Sequence, residues 1–198
     1  KTQKGMNFSR GTIKSIRTVL NLLDDFQEKA DRTYAFEDID YEFRTKFMDY
    51  LYNSRGYNVN TAAKSMNILV TIMSAAEKEG YHNNRKCLGT QFRAKRREVD
   101  TIYLTKEELT AMVQADLSHL SPMHEVARDI FMVGVFTAQR VSDYNNIGPE
   151  NIIREADGSV IINIRQQKTG VWVSIPARDE LKQILAKYEY DLPRISER

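Results

Sequence analysis

The chain has a single cysteine, Cys87, among 198 residues. This excludes an internal disulfide and a cysteine-rich zinc site, and it fits a reducing compartment. Of the three histidines, His119 and His124 flank a helix start and have no partner at metal-ligand spacing, so no metal is expected. No apolar run approaches the roughly 20 residues needed to span a bilayer, and the first residues, KTQKGMNFSR, contain no signal-peptide core. A cytoplasmic protein with no membrane partner is expected. Neither sign of charge dominates: 29 basic residues against 27 acidic ones leave a net charge of +2. Any polyanionic partner must therefore be read from local clusters of charge. Charged residues are 28% and hydrophobic ones 41%, a globular balance that argues against wholesale disorder. The length suits one domain plus a smaller one.

Three helical patterns fill the first part of the chain. In SRGTIKSIRTVLNLLDDFQEKA, the residues Ile13, Ile16, Leu20 and Leu23 recur at spacings of three and four, widened by Val19, Leu22 and Phe26. The polar face carries Arg10, Lys14 and Arg17 near the helix start, against the helix dipole, which a nearby anion would explain. An ordinary solvated face explains it too. Asp40 caps a second helix with Phe43, Phe47 and Leu51 inside and Gly56 as its stop. A third, expected to be capped by Asn60 and ended by Gly80, has Met66, Leu69, Ile72, Met73 and Ala76 as its stripe. Thr61, Lys64 and Asn67 lie on its polar side, where they could touch phosphates or base edges. Between Tyr81 and Thr101 the periodicity stops. Arg85, Lys86, Arg93, Lys95, Arg96 and Arg97 appear there with no acid before Glu98. Such a run either stays solvated as a linker or lies along a phosphate backbone, releasing counterions.

The second part opens on Thr105-Lys106-Glu107-Glu108, a capping box with Leu104 and Leu109 as its hydrophobic staple. Ser121-Pro122 starts the next helix, which runs into FMVGVFTAQRVSD. Phe131, Met132, Val133, Val135 and Phe136 are apolar almost all round, so a helix covered by neighbours is expected. It delivers Arg140, whose guanidinium suits a planar anion such as phosphate, with Asp143 three residues on as an ion-pair partner. Two strands follow, Val160–Arg165 and 171–175, with a shorter one at Ile152 and Ile153. The tip Gln166-Gln167-Lys168-Thr169-Gly170 projects Lys168 from a β-turn. A last helix carries Leu181, Ile184, Leu185 and Tyr188. The expected fold class is mainly α with a small antiparallel β-sheet.

FTAQRVSDYNNI, IRQQKTGVWVSIP and YLTKEELTAM stand in the order and at about the spacing found in the tyrosine recombinases, the phage-integrase family. The second unit resembles their catalytic domain, and the first resembles their helical, SAM-like core-DNA-binding domain. KTGVWVSIP is most similar to integrases of mobile genetic elements. The resemblance implies a core-DNA-binding domain over residues 1–84, a basic interdomain linker over 85–101, and the N-terminal part of an α+β catalytic domain over 102–198. It also implies DNA integration and recombination through a phosphotyrosyl intermediate, without cofactor or small-molecule substrate. Double-stranded DNA is the implied partner, bound by a homo-tetramer of the full-length parent. Arg140 would clamp non-bridging oxygens, Lys168 would protonate the leaving oxygen, and Asp143 would hold the site together. The implied DNA-binding set is Lys14, Arg17, Thr61, Lys64, Asn67, Arg93, Lys95, Arg96 and Arg97.

The family's H-x-x-R and nucleophilic tyrosine follow its β-turn lysine, and neither follows Lys168 here. His82-Asn83-Asn84-Arg85 precedes Arg140, and Tyr188 fits the apolar stripe of its helix. A truncated piece that binds DNA without cutting it is therefore expected. A non-catalytic DNA-binding regulator of the same architecture is the alternative, and a helical protein-interaction module a third. At the arginine turn, Ala138 stands where the family commonly has glycine. A slightly different turn is expected, because positive φ would cost alanine about 1 kcal/mol.

Overall fold

A computed structural model of the chain describes residues 8–196, so most of KTQKGMNFSR and the last two residues lie outside it. The chain divides into two compact units, Lys1–Thr101 and Ile102–Arg198.

In the first unit, α1 (Arg10–Lys29) is capped by the Ser9 hydroxyl, which accepts from the Thr12 N–H. Its buried side is Val19, Leu22 and Phe26. The expected stripe is thus buried along its Val19, Leu22 and Phe26 side, whereas Ile13 and Leu20 at its other margin are 45% and 42% exposed. Helix α2 (Tyr41–Asp49) starts on the Asp40 carboxylate, which accepts from the N–H groups of Glu42 and Phe43. It continues into a single wide π turn, Tyr50–Ser54, that keeps Tyr50 and Leu51 in the core before the left-handed Gly56 reverses the chain. Phe26, Phe43, Phe47, Tyr34 and Tyr50 form one aromatic cluster with ring centroids 5.0–6.0 Å apart, giving the unit its centre.

Helix α3 (Val59–Lys78) packs Ala62, Ala63, Met66, Leu69, Val70 and Met73 against α1 and α2. Its cap is Asn58 and not Asn60, since the Asn58 side chain accepts from Thr61 N–H. His82 is a core residue. Its ring stacks on Phe36, Nε2 sits 2.9 Å from the Met73 carbonyl, and Nδ1 accepts from the Asn84 N–H. That environment explains His82-Asn83-Asn84-Arg85 without chemistry.

In the second unit, α4 (Lys106–Gln114) has the expected capping box: Thr105 N–H donates to Glu108 at 2.7 Å, and Thr105 Oγ1 accepts from the Glu108 N–H. Helix α5 (Pro122–Thr137) begins on Ser121 with proline at the first position. Strands β1 (Ile152–Arg154), β2 (Val160–Arg165) and β3 (Trp172–Pro176) make an antiparallel sheet in that order, with Ile162 facing Ile152 and Ile175. Val160, Ile162 and Ile164 alternate inward onto Ile130, Val133, Leu181 and Leu185. The last two come from α7 (Asp179–Lys187).

Helices α5 and α7 are also tied by charge. Lys187 Nζ donates to Glu125 and Asp129, and Tyr188 Oη donates to Asp129 at 2.9 Å. Burial pushes the Asp129 carboxyl up, but hydrogen bonds from Lys187, Tyr188 and Arg128 outweigh it and hold the group below the usual carboxylate range. The expectation that α5 is covered all round holds for one side only. Ile130, Met132 and Val133 are buried, whereas Phe131 is 40% exposed. Val135 and Phe136 line an open groove of ≈ 580 Å³ with Leu109 and Val113 of α4.

Candidate active-site half and nucleic-acid interface

The arginine turn is built on a close approach. Gly134 of α5 lies against the Tyr144 ring, and a Cβ there would come within 2.5 Å of it. Tyr144 belongs to the short helix α6 (Val141–Tyr144), so the missing side chain lets α6 lie on α5. Between them Ala138 takes φ 52, ψ 28, the left-handed conformation, and Arg140 is extended at φ -72, ψ 154. The expectation of a different turn is thus not met, because the alanine itself adopts the strained conformation. Packing of α6 on α5 holds the reversal with alanine at 138.

Arg140 is half-exposed, with its guanidinium 3.8 Å from Asp143 Oδ2. That separation is an ion pair without a hydrogen bond. The Asp143 side chain is 1% exposed, and its two oxygens differ. Oδ1 accepts the Gln167 backbone N–H at 2.8 Å, while Oδ2 is buried with no hydrogen-bond partner. Gln167 precedes Lys168, so one carboxylate touches both the arginine turn and the lysine hairpin. A second tie runs beside it. Gln166 Nε2 donates to Gln139 Oε1 at 2.8 Å, and Gln166 Oε1 accepts from the Thr169 hydroxyl at 2.7 Å. The tip itself closes through Gly170 N–H to the Gln166 carbonyl, with Gly170 at φ 70. Lys168 is exposed on this tip. The structure thus brings Arg140, Asp143 and the Lys168 turn together. The Gln139–Gln166 pair was not foreseen, since nothing in the sequence pairs residues 27 apart.

Of the candidate DNA-contacting residues in the first unit, Lys14, Thr61 and Lys64 line one groove of ≈ 190 Å³ between α1 and α3. Arg17 is exposed on α1 outside that lining. Asn67 is not a free reader: its carboxamide is bound to the backbone of Ala94, accepting from the N–H at 3.1 Å and donating to the carbonyl at 3.0 Å. The span read as a linker is likewise not free over its first part. Cys87, Phe92 and Ala94 are buried in the first unit, Arg44 donates to the Phe92 carbonyl, and Asn60 holds Arg97. Apolar residues at 92 and 94 anchor this strap, while Arg93, Lys95, Arg96 and Arg97 remain exposed.

Residues 1–90 match the family model described as the phage integrase SAM-like domain. Among solved structures, the chain is similar to the XerH site-specific recombinase bound to palindromic difH substrate in a post-cleavage complex. The TM-score is 0.66 at 16% identity, covering 89% of this chain and 52% of that one. It is also similar to XerH bound to difH in a pre-cleavage complex, with a TM-score of 0.57 at 14% identity and the same coverage. No curated protein sequence matches. Most of the first unit thus matches a phage-integrase SAM-like domain, and the described chain shares the fold of the XerH recombinase structures. It spans about half the length of the recombinase chains it matches.

Proposed function

We propose that the chain is the DNA-holding part of a tyrosine-type site-specific recombinase that carries half of the phosphate-activating site. The observation that carries this reading is the Asp143 carboxylate shared between Arg140 and the Lys168 turn. The elements that carry two cations, one a rigid fork and the other a mobile ammonium, are tied to one carboxylate, which supports their convergence on a phosphoryl centre with developing charge. Arg140 binds the non-bridging oxygens, Lys168 protonates the departing 5′-oxygen, and Asp143 positions both. The exposed residues Arg93, Lys95, Arg96 and Arg97, with Lys14, Arg17 and Lys64, neutralise the duplex backbone. Neither Tyr188 nor Tyr190 is assigned as the nucleophile: Tyr188 Oη is bound to buried Asp129, and the Tyr190 ring lies against the Arg154 guanidinium. The chain alone therefore binds duplex DNA without cleaving it, and the complete enzyme integrates mobile-element DNA as a homo-tetramer in the cytoplasm.

The test is a titration of a mixed-sequence duplex at several salt concentrations, together with incubation on a nicked duplex. Binding that weakens steeply with salt, with no covalent adduct, is expected. Charge reversal at Arg93, Lys95, Arg96 and Arg97 should lower affinity at low salt by at least about tenfold. Unchanged affinity would remove the strap from the interface, and a covalent adduct would place a nucleophile within this chain.

A further inference from the structure

The strap from 92 to 97 and the helix beneath it match in length. Asn60 and Asn67 are seven residues apart, which on an α-helix is a rise of about 10.5 Å on one face. The residues they hold, Arg97 and Ala94, are three apart, which in an extended chain is about 10 Å. Each carboxamide pairs with both backbone groups of one residue. Asn60 accepts from the Arg97 N–H at 2.8 Å and donates to its carbonyl at 3.0 Å. Asn67 does the same to Ala94. Arg44 adds a third point by donating to the Phe92 carbonyl at 2.9 Å. Two side chains thus replace a neighbouring strand, and the segment lies extended and antiparallel along α3. Lys95 and Arg96, between the two held residues, are exposed.

We infer that Asn60 and Asn67 are positioning residues for DNA binding: they order the cationic strap before the duplex arrives, without touching the duplex themselves. The inference rests on the DNA-binding reading above. Six like charges, Arg85 to Arg97, would repel one another in a free segment. Held extended, with Phe92 and Ala94 turned inward, the strap turns Arg93 and Lys95 to its outer side, and the ordering entropy is met on folding instead of on binding.

Two measurements on the full chain test this. In amide hydrogen exchange without DNA, Ala94 and Arg97 should be protected while Lys95 and Arg96 exchange fast. The Asn60→Ala, Asn67→Ala double variant should accelerate Ala94 and Arg97 about tenfold or more. The single Asn60→Ala should do so for Arg97 alone, which keeps the test available if the double variant unfolds. In duplex titrations, the double variant should bind about tenfold more weakly with its salt slope unchanged, because the same phosphates are neutralised at saturation. The contact variant Lys95→Gln, Arg96→Gln should instead reduce the slope by about 2. Unchanged exchange at Ala94 and Arg97 overturns the clamp itself. Faster exchange with unchanged affinity overturns its role in binding, and a wild-type chain that binds no duplex overturns the DNA reading as well.

Discussion

Asp143 Oδ1 accepts the Gln167 backbone N–H at 2.8 Å, joining two segments 24 residues apart and setting the residue before Lys168 against the turn that carries Arg140. The other oxygen of the same carboxylate, buried and without a hydrogen bond, faces the Arg140 guanidinium at 3.8 Å. Asp143→Asn can keep the bond to Gln167, so the Gln167 amide should stay protected from exchange. Asp143→Ala should lose that protection and destabilise the unit by about 1–3 kcal/mol, read by urea unfolding, because a buried donor is left unpaired. Equal protection in both variants would remove Asp143 from the tie.

The left-handed Ala138 makes an opposite prediction. Ala138→Gly relieves the Cβ penalty at φ 52, so the variant should be more stable by up to about 1 kcal/mol despite the added chain freedom of glycine. A loss of stability in thermal unfolding would mean that the turn is not held in this conformation.

Gly134 has no space for a side chain where it meets the Tyr144 ring. Gly134→Ala should therefore cost about 1–3 kcal/mol through overpacking, and it should displace α6 and Arg140 with it. Tyr144→Ala in the same chain should restore part of the loss. Additive destabilisation by the two changes would show that the contact is not the cause.

The α5–α7 network sets an acid limit. The Asp129 carboxyl is held below its ordinary range in the folded chain, so its contribution is present above the unfolded carboxylate value, about 3.9. It is lost as pH falls through the lower folded value. Lys187 acts in the other direction. Burial lowers it, but hydrogen bonds to Asp129 and Glu125 raise it overall, so its contribution holds through neutral pH and fades only above the usual lysine range. Stability measured by urea unfolding should thus fall below about pH 4 in the wild type. Asp129→Asn should flatten that part of the profile, and an unaltered acid limb would exclude Asp129.

Much of this was legible in local patterns. The capping box at Thr105, the Ser121-Pro122 start, the two strands of the hairpin and the meeting of the Arg140 turn with the Lys168 turn each follow from spacing or from the resemblance. What could not be read was tertiary. The stripe of α1 was broader in sequence than in the core, with Val19, Leu22 and Phe26 buried and Ile13 and Leu20 left out, because periodicity does not say how much of a face a neighbour covers. Asn60 looked like a cap because asparagine near a helix start usually is one, yet Asn58 takes that place and Asn60 reaches Arg97. The seven-residue interval between Asn60 and Asn67 was the available signal, since it puts both on one face. The Gln139–Gln166 bond left no trace in sequence.

The same carboxamide device recurs in the second unit, where Asn145 accepts from the Ile195 N–H and donates to its carbonyl. Asn145 follows α6 directly, and the two residues are 50 apart. A pairing across so long a loop forms only after the intervening strands and α7 have brought the chain back, because loop closure must precede the contact that rewards it. The residue that follows the arginine turn is therefore moored to the segment beyond α7 by a non-local tie, separate from the local packing of α6 on α5.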